Sequence, residues 1–200
     1  MENNVREESG LKFQFPENET VIKFDDTKFY RDYFNKLPKA KGVDFISVDK
    51  NKIAFIEVKN CIGDEGNCRW RIAPNNQKRN KTHTSVNVEG RDSLDIEMAQ
   101  KVAMTIAALI GAKSFGDTKE CLCELREYIQ FLSQDTFSDN SKKKYVILFL
   151  EGDFGGKTRS KKMIMKALQD SINKKLKWIN CRVSVVDSDT YNTKLFQIVS

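Results

Sequence analysis

Asp44, Glu57 and Lys59 are the three side chains whose types and spacing point most directly to chemistry. Successive side chains alternate across a strand, so in the run Ile53 to Lys59 the Glu57 carboxylate and the Lys59 amine project from one face while Val58 points to the other. Val43 to Asp49 and Ile53 to Lys59 predict two strands, with the turn at Lys50-Asn51. A two-residue turn there sets Asp49 against Lys52 and Asp44 against Glu57. Ile46 then meets Phe55 and Val48 meets Ile53 on the acidic face, with Val43 against Val58 and Phe45 against Ile56 behind. Both faces are apolar beyond the acids, which predicts a buried, central hairpin. Opposed carboxylates at its end would have Cβ atoms about 4.5–5.5 Å apart and repel unless a cation lies between them. Mg²⁺ or Mn²⁺ would resolve the conflict with oxygen ligands from Asp44, Glu57 and a backbone carbonyl, that of Val58. The Lys59 ammonium would then hold an attacking water while the ion polarises a phosphodiester. The plainer reading is a pair of sheet-end charges, Asp44 and Lys59, beside an ordinary Glu57 ion pair.

Val43-Asp44, a spacer of twelve residues, then Glu57-Val58-Lys59 within Ile-Ala-Phe-Ile-Glu-Val-Lys-Asn resembles the PD-(D/E)xK nuclease superfamily, with Val43 at the nominal Pro. The resemblance covers Val43 to Asn60. It implies a restriction-endonuclease-like fold, Asp44 and Glu57 as metal ligands, Lys59 in hydrolysis, and DNA as the substrate. Such nucleases often add an acid from the first helix, for which Asp32 is available but which no local motif selects. The alternative is a catalytically inactive nuclease-fold domain that binds nucleic acid or protein. One active site serves one strand, so cutting both would involve a homodimer or an accessory protein.

Beyond the hairpin, Arg69, Trp70 and Arg71, then Lys78, Arg79 and Lys81, form a basic stretch with an aromatic. Its cations suit phosphates and its indole a base, and the competing reading is a solvated loop. Gln100 either orients the site or is a surface residue. Lys142 to Lys144 and the lysines at 161, 162, 166, 174, 175 and 177 form further positive surfaces, of the kind that is usually a solvated helix face. Gly152-Asp153-Phe154-Gly155-Gly156-Lys157-Thr158 lies between a strand and a helix, as a phosphate-binding loop does, but its glycine spacing is one residue short of that motif. His83 stands alone as a histidine, and the cysteines at 61, 68, 121, 123 and 181 lack zinc-site spacing.

These residues need a scaffold. Two hundred residues with 40% hydrophobic content predict one domain, 1–200, with 1–10 a frayed polar tail. Asp25 or Asp26 is expected to cap a helix through Leu37, whose apolar face is Phe29, Tyr30, Tyr33, Phe34 and Leu37. Helices are expected from Asp92 or Ser93 to Gly111, from Glu120 to Leu132 and from Lys161 to Trp178. Strands are expected at Tyr145 to Leu150 and Arg182 to Asp187. A hairpin followed by β-α-β alternation predicts an α/β (α+β mixed) fold, a central mixed sheet with helices on both faces. Thirty-four Lys and Arg against 28 Asp and Glu, with a net charge of +6 and a pI near 9.0, favour a polyanionic partner. No apolar run reaches membrane-spanning length and the N-terminal residues lack a signal peptide's pattern, which sets the expectation of a cytoplasmic protein with no membrane partner.

Overall fold

The structure, a computed structural model, describes residues 4–75, 92–116, 120–134, 142–156 and 158–199. Strand β1 (Val5–Glu8) occupies the segment expected to be frayed, 1–10, and pairs with β2 (Leu11–Gln14). They close through Ser9 and Gly10, both with positive φ (53° and 75°), the turn whose twist matches that of the flanking strands. Arg6, Glu7 and Glu8 read as a solvated tail, but a short strand facing solvent on one side tolerates such charges.

Next come β3 (Thr20–Lys23), a 3-10 turn at Phe24–Asp26, α1 (Lys28–Asp32) and a second 3-10 turn at Phe34–Lys36. The predicted cap is corrected: Thr27 caps α1, its Oγ1 accepting from the Tyr30 N–H at 3.1 Å, and both aspartates precede it. The single helix expected through Leu37 is broken after Asp32, where aromatic rings pack on one another (Tyr30 against Phe34 at 5.6 Å, Tyr33 against Phe115 at 5.5 Å). Such rings lose side-chain freedom in a helix, and tertiary stacking takes precedence over its continuation. Tyr33 and Leu37 of the expected apolar face are exposed.

The hairpin follows as predicted. Strands β4 (Phe45–Val48) and β5 (Lys52–Asn60) pair antiparallel with Phe45 against Ile56, Ile46 against Phe55 and Val48 against Ile53. The Asp49 carboxylate secures the turn by accepting from the Asn51 and Lys52 N–H groups at 2.7 and 2.9 Å. After a short α2 (Glu65–Cys68) come α3 (Leu94–Lys113), a 3-10 turn at Glu120–Leu125, α4 (Arg126–Ser133), β6 (Lys143–Glu151), α5 (Lys161–Lys175), a 3-10 turn at Lys177–Ile179, β7 (Arg182–Val186) and β8 (Gln197–Val199).

The main sheet has the order β3-β4-β5-β6-β7, antiparallel up to β5 and parallel from β5 to β7. Both parallel crossovers step the same way across the sheet. With right-handed connections, that places α3, α4 and α5 on one face. The expectation of helices on both faces is therefore corrected: Val146, Leu148 and Leu150 meet Met98, Val102, Leu168 and Ile172 on the helical face, whereas Phe45, Ile56, Val58, Ile147 and Phe149 pack against Phe13, Phe15 and Phe196. That second cover is a small sheet in the order β1-β2-β8.

Helix α3 is pinned at its start by Asp95, which is 0% exposed. The carboxylate accepts from Ser93 Oγ (2.5 Å), Ser171 Oγ (2.7 Å), Lys175 Nζ (2.7 Å) and the Asn75 N–H (3.1 Å), tying α3 to α5 and to the strap before residue 76. Burial raises its pKa, but these donors outweigh that effect and leave it below the usual carboxylate value. Along α3, Leu94, Met98, Val102 and Leu109 are buried, Ile106 is half-buried and Ile110 is exposed. Among the described residues no helix is long and apolar enough to cross a membrane.

Candidate active site

The ladder between β4 and β5 stops at Phe45, and the polar cluster begins there. In a regular continuation the Val58 N–H would bond to backbone on the β4 side. Instead it donates to Asp44 Oδ2 at 2.7 Å, while the Val43 N–H donates to Thr105 Oγ1 of α3 at 3.1 Å. A strand residue's C=O points to the same edge as its N–H, so the Val58 carbonyl faces the Asp44 side. The Phe24 N–H donates to the Asp44 carbonyl at 3.1 Å, which fixes the backbone from β3. Gly42 allows this close approach, since a Cβ there would lie 2.6 Å from Phe24 Cδ1 and 3.1 Å from Tyr30 Cε2.

Asp44, Glu57 and Lys59 all project from the helical face, as the alternation predicts. Glu57 is 1% exposed. Its Oε1 is 2.6 Å from Lys59 Nζ and 2.6 Å from Lys101 Nζ, and its Oε2 is 2.8 Å from Lys101 Nζ. Lys101 Nζ also lies 3.4 Å from Asp44 Oδ1, so the ammonium of Lys101 sits between the two carboxylates. Lys59 Nζ is 3.6 Å from Glu97 Oε1, whose other oxygen pairs with Arg71 Nη2. Three carboxylates thus face three cations.

The electrostatics follow from burial. Desolvation, reinforced by Asp44, pushes the Glu57 pKa up to about 7 against the pull of Lys59 and Lys101. Burial works against the Lys101 ammonium too, yet Glu57 and Asp44 more than offset it and hold its pKa above the usual lysine value. For Glu97, burial is outweighed by Lys59, Arg71 and Lys101, and its pKa is lowered. A further acid borders the cluster. Asp25 Oδ1 is buried without a hydrogen-bond partner, and burial raises its pKa with added repulsion from Asp26 and Asp44. Asp32, the first-helix acid considered from sequence, is exposed.

Glu97, Lys101 and Thr105 recur every fourth residue and so line one side of α3. No motif in the sequence singles them out. The available signal was their position beside the buried Met98, Val102 and Leu109 stripe. Gln100 accepts from Lys41 Nζ at 3.0 Å outside the cluster and is exposed.

Of the proposed nucleic-acid contacts, Arg71 is drawn into the site through Glu97, Trp70 is half-buried and engaged, and Arg69 is exposed. Lys78, Arg79, Lys81 and His83 lie outside the described residues, as does Lys157. The glycine-rich loop does not present its amides freely: Asp153 Oδ1 accepts from the Gly155 N–H at 2.9 Å and Glu65 Oε1 from the Asp153 N–H at 3.4 Å. Several basic groups are internally paired, among them Lys161 with Asp187 and Lys175 with Asp95, both at 2.6–2.7 Å.

Among the described residues no three His, Cys, Asp or Glu side chains converge as a ready-made metal cage. Asp44 and Glu57 nevertheless supply two buried hard oxygen donors aimed at one cationic position, the minimal protein contribution for Mg²⁺, which keeps several waters.

A family model matches residues 27–200, described as a family of unknown function (DUF6661). No curated protein and no solved structure matches the chain.

Proposed function

The chain belongs to this family of unknown function, and from the geometry of its own site we propose that it is a metal-dependent nuclease acting on phosphodiester bonds, most suitably those of DNA. One observation carries the reading: Asp44, Glu57 and Lys59 meet on one face at the end of a buried hairpin, with the two carboxylates directed at a single cation position. The antiparallel β3-β4-β5 unit, the α3 crossover and the parallel β6 support a restriction-endonuclease-like arrangement. The placement of β3 before α1 and the gathering of the long helices on one face set this chain apart in detail.

In this reading Asp44, Glu57 and the Val58 carbonyl hold Mg²⁺ or Mn²⁺, with Asp25 as the adjacent spare carboxylate. The ion, when bound, supplies Lewis-acid polarisation of the phosphoryl group and offsets developing charge. Lys59 orients a water for attack and stabilises negative charge, and its amine is held in place by Glu57 and Glu97. Arg71 fixes Glu97 in turn. Lys101 competes with the ion because both require the same carboxylates. The cluster's cations and acids balance, so a divalent ion is accommodated when the Lys101 ammonium turns away, leaving a positive side chain to meet a phosphate.

That same lysine favours one other reading, in which its ammonium is the permanent counter-ion of an inactive nuclease-fold domain that binds nucleic acid or protein. Metal titration separates the two. The protein is to be incubated with Mg²⁺ or Mn²⁺ and linear, nicked, branched and single-stranded DNA, alongside Asp44→Ala, Glu57→Gln and Lys59→Ala. Cleavage by the parent that is lost in all three variants is expected; cleavage that survives them assigns the activity elsewhere.

A further inference from the structure

A second concavity lies behind the strap that carries Arg71. It is a cleft of about 480 Å³ between residues 69–74 and residues 154–156 and 158–167, within the range of about 300–1,000 Å³ typical of ligand sites. Its position is the one where open α/β sheets hold ligands, outside the carboxyl ends of the parallel strands β5 and β6. Its floor is apolar, formed by the buried Ile72 and Phe154, the half-buried Ile164 and Met163, which is 60% exposed. Arg69 stands on one wall and Arg159 on the other. Both are exposed, and among the described residues neither is held in an ion pair and no acid lines the cleft. Glu65, beside Arg69 in the chain's path, turns to the Asp153 N–H at 3.4 Å.

Two cations over an apolar floor complement a phosphate joined to a flat, weakly polar group. The strap links this cleft to the carboxylate cluster directly: Arg71 points to Glu97, and the next residue, Ile72, lines the cleft. Bases inside a duplex are stacked and paired, and they reach such a floor only when unstacked. We infer that this cleft receives an unstacked nucleotide of a single DNA strand, with its phosphate between Arg69 and Arg159 and its base on Ile72, Phe154 and Ile164. The inference rests on the nuclease reading and narrows its substrate class to single strands or frayed ends.

The test is fluorescence anisotropy of a labelled short oligothymidylate, titrated with the full chain in EDTA across a salt series, against a blunt duplex of equal phosphate number. The parent is expected to prefer the single strand. Arg69→Ala with Arg159→Ala weakens that binding by about tenfold or more and lowers the salt slope by about 0.7, the value for one phosphate neutralised on a single strand. Met163→Glu, at an exposed position that does not endanger folding, weakens it too by setting an anion on the floor. Unchanged affinity and slope in these variants, or equal binding of the duplex with equal sensitivity to them, overturns the cleft assignment. If the variants bind normally while the parent cuts DNA with Mn²⁺, the cleft falls and the nuclease reading stands. If the oligonucleotide binds through the cleft and nothing is cut, the reverse holds.

Discussion

Replacing Lys101 by Met removes the ammonium that lies 2.6 and 2.8 Å from the Glu57 oxygens and 3.4 Å from Asp44 while keeping most of the side chain's length. Breaking a buried ion pair from one side typically costs about 3–5 kcal/mol, because the remaining charge has lost its partner. Glu57, whose pKa is already up at about 7, rises further in the variant and takes a proton near neutrality. The loss there settles at about 3 kcal/mol, or roughly 6–12 °C in Tm for a chain of this size. It grows as pH rises, since both carboxylates are then forced to ionise. Mn²⁺ replaces the missing charge, and at about a hundred times its Kd returns close to 2.7 kcal/mol. Thermal unfolding of parent and variant at pH 6, 7 and 8, with and without Mn²⁺, reads all of this. The expected pattern is a less stable variant that Mn²⁺ stabilises more than it does the parent. A variant as stable as the parent, or an equal Mn²⁺ effect on both, would refute competition between the ammonium and the ion.

Four further outcomes are expected. Glu57 is protonated more readily in the folded chain than in the unfolded one, so its contribution to stability is fullest at acid pH and is lost as pH rises through about 7; Glu57→Gln should remove this downward slope from a denaturation series. Metal needs the ionised form, so Mn²⁺ affinity by calorimetry should be weaker by up to about tenfold at pH 6 than well above pH 7, and a flat profile would contradict the raised pKa. Asp95→Ala leaves Lys175 without its buried carboxylate and should lower stability by about 3–5 kcal/mol in a denaturant titration, with a change under about 0.5 kcal/mol showing that the latch between α3 and α5 is dispensable. Gly42→Ala forces Phe24 to move and should cost about 1–3 kcal/mol and weaken Mn²⁺ binding at Asp44, two residues on; unaltered metal affinity would separate the glycine from the site.

The hairpin was legible because two local rules agreed on it. A two-residue turn at Lys50-Asn51 and strict alternation leave one register, and Phe45 against Ile56 confirms that register in the structure. The face shared by Asp44, Glu57 and Lys59 follows from it. Glu97 and Lys101 were hidden because a Glu and a Lys four apart are also the ordinary decoration of an exposed helix, and only the sheet packed beneath them makes them part of the cluster. The side on which the helices lie depends on strand order, which no local pattern in the chain encodes, while the handedness rule supplies it once the order β5-β6-β7 is known. Residues 5–14 pair through a turn in which Ser9 adopts a positive φ, a conformation that its type does not signal. No local motif selected a further acid on α1, and Asp32 there is exposed, whereas Asp25, in the tight turn that joins β3 to that helix, has a buried oxygen without a hydrogen-bond partner.

The most direct test of the central claim is a crystal soaked with Mn²⁺ and measured at a wavelength where manganese scatters anomalously. The account predicts one strong peak within bonding distance of the Asp44 and Glu57 carboxylates, with Lys101 turned away and Lys59 beside it. No peak there, with the Lys101 ammonium still seated between the two acids at saturating Mn²⁺, would contradict it.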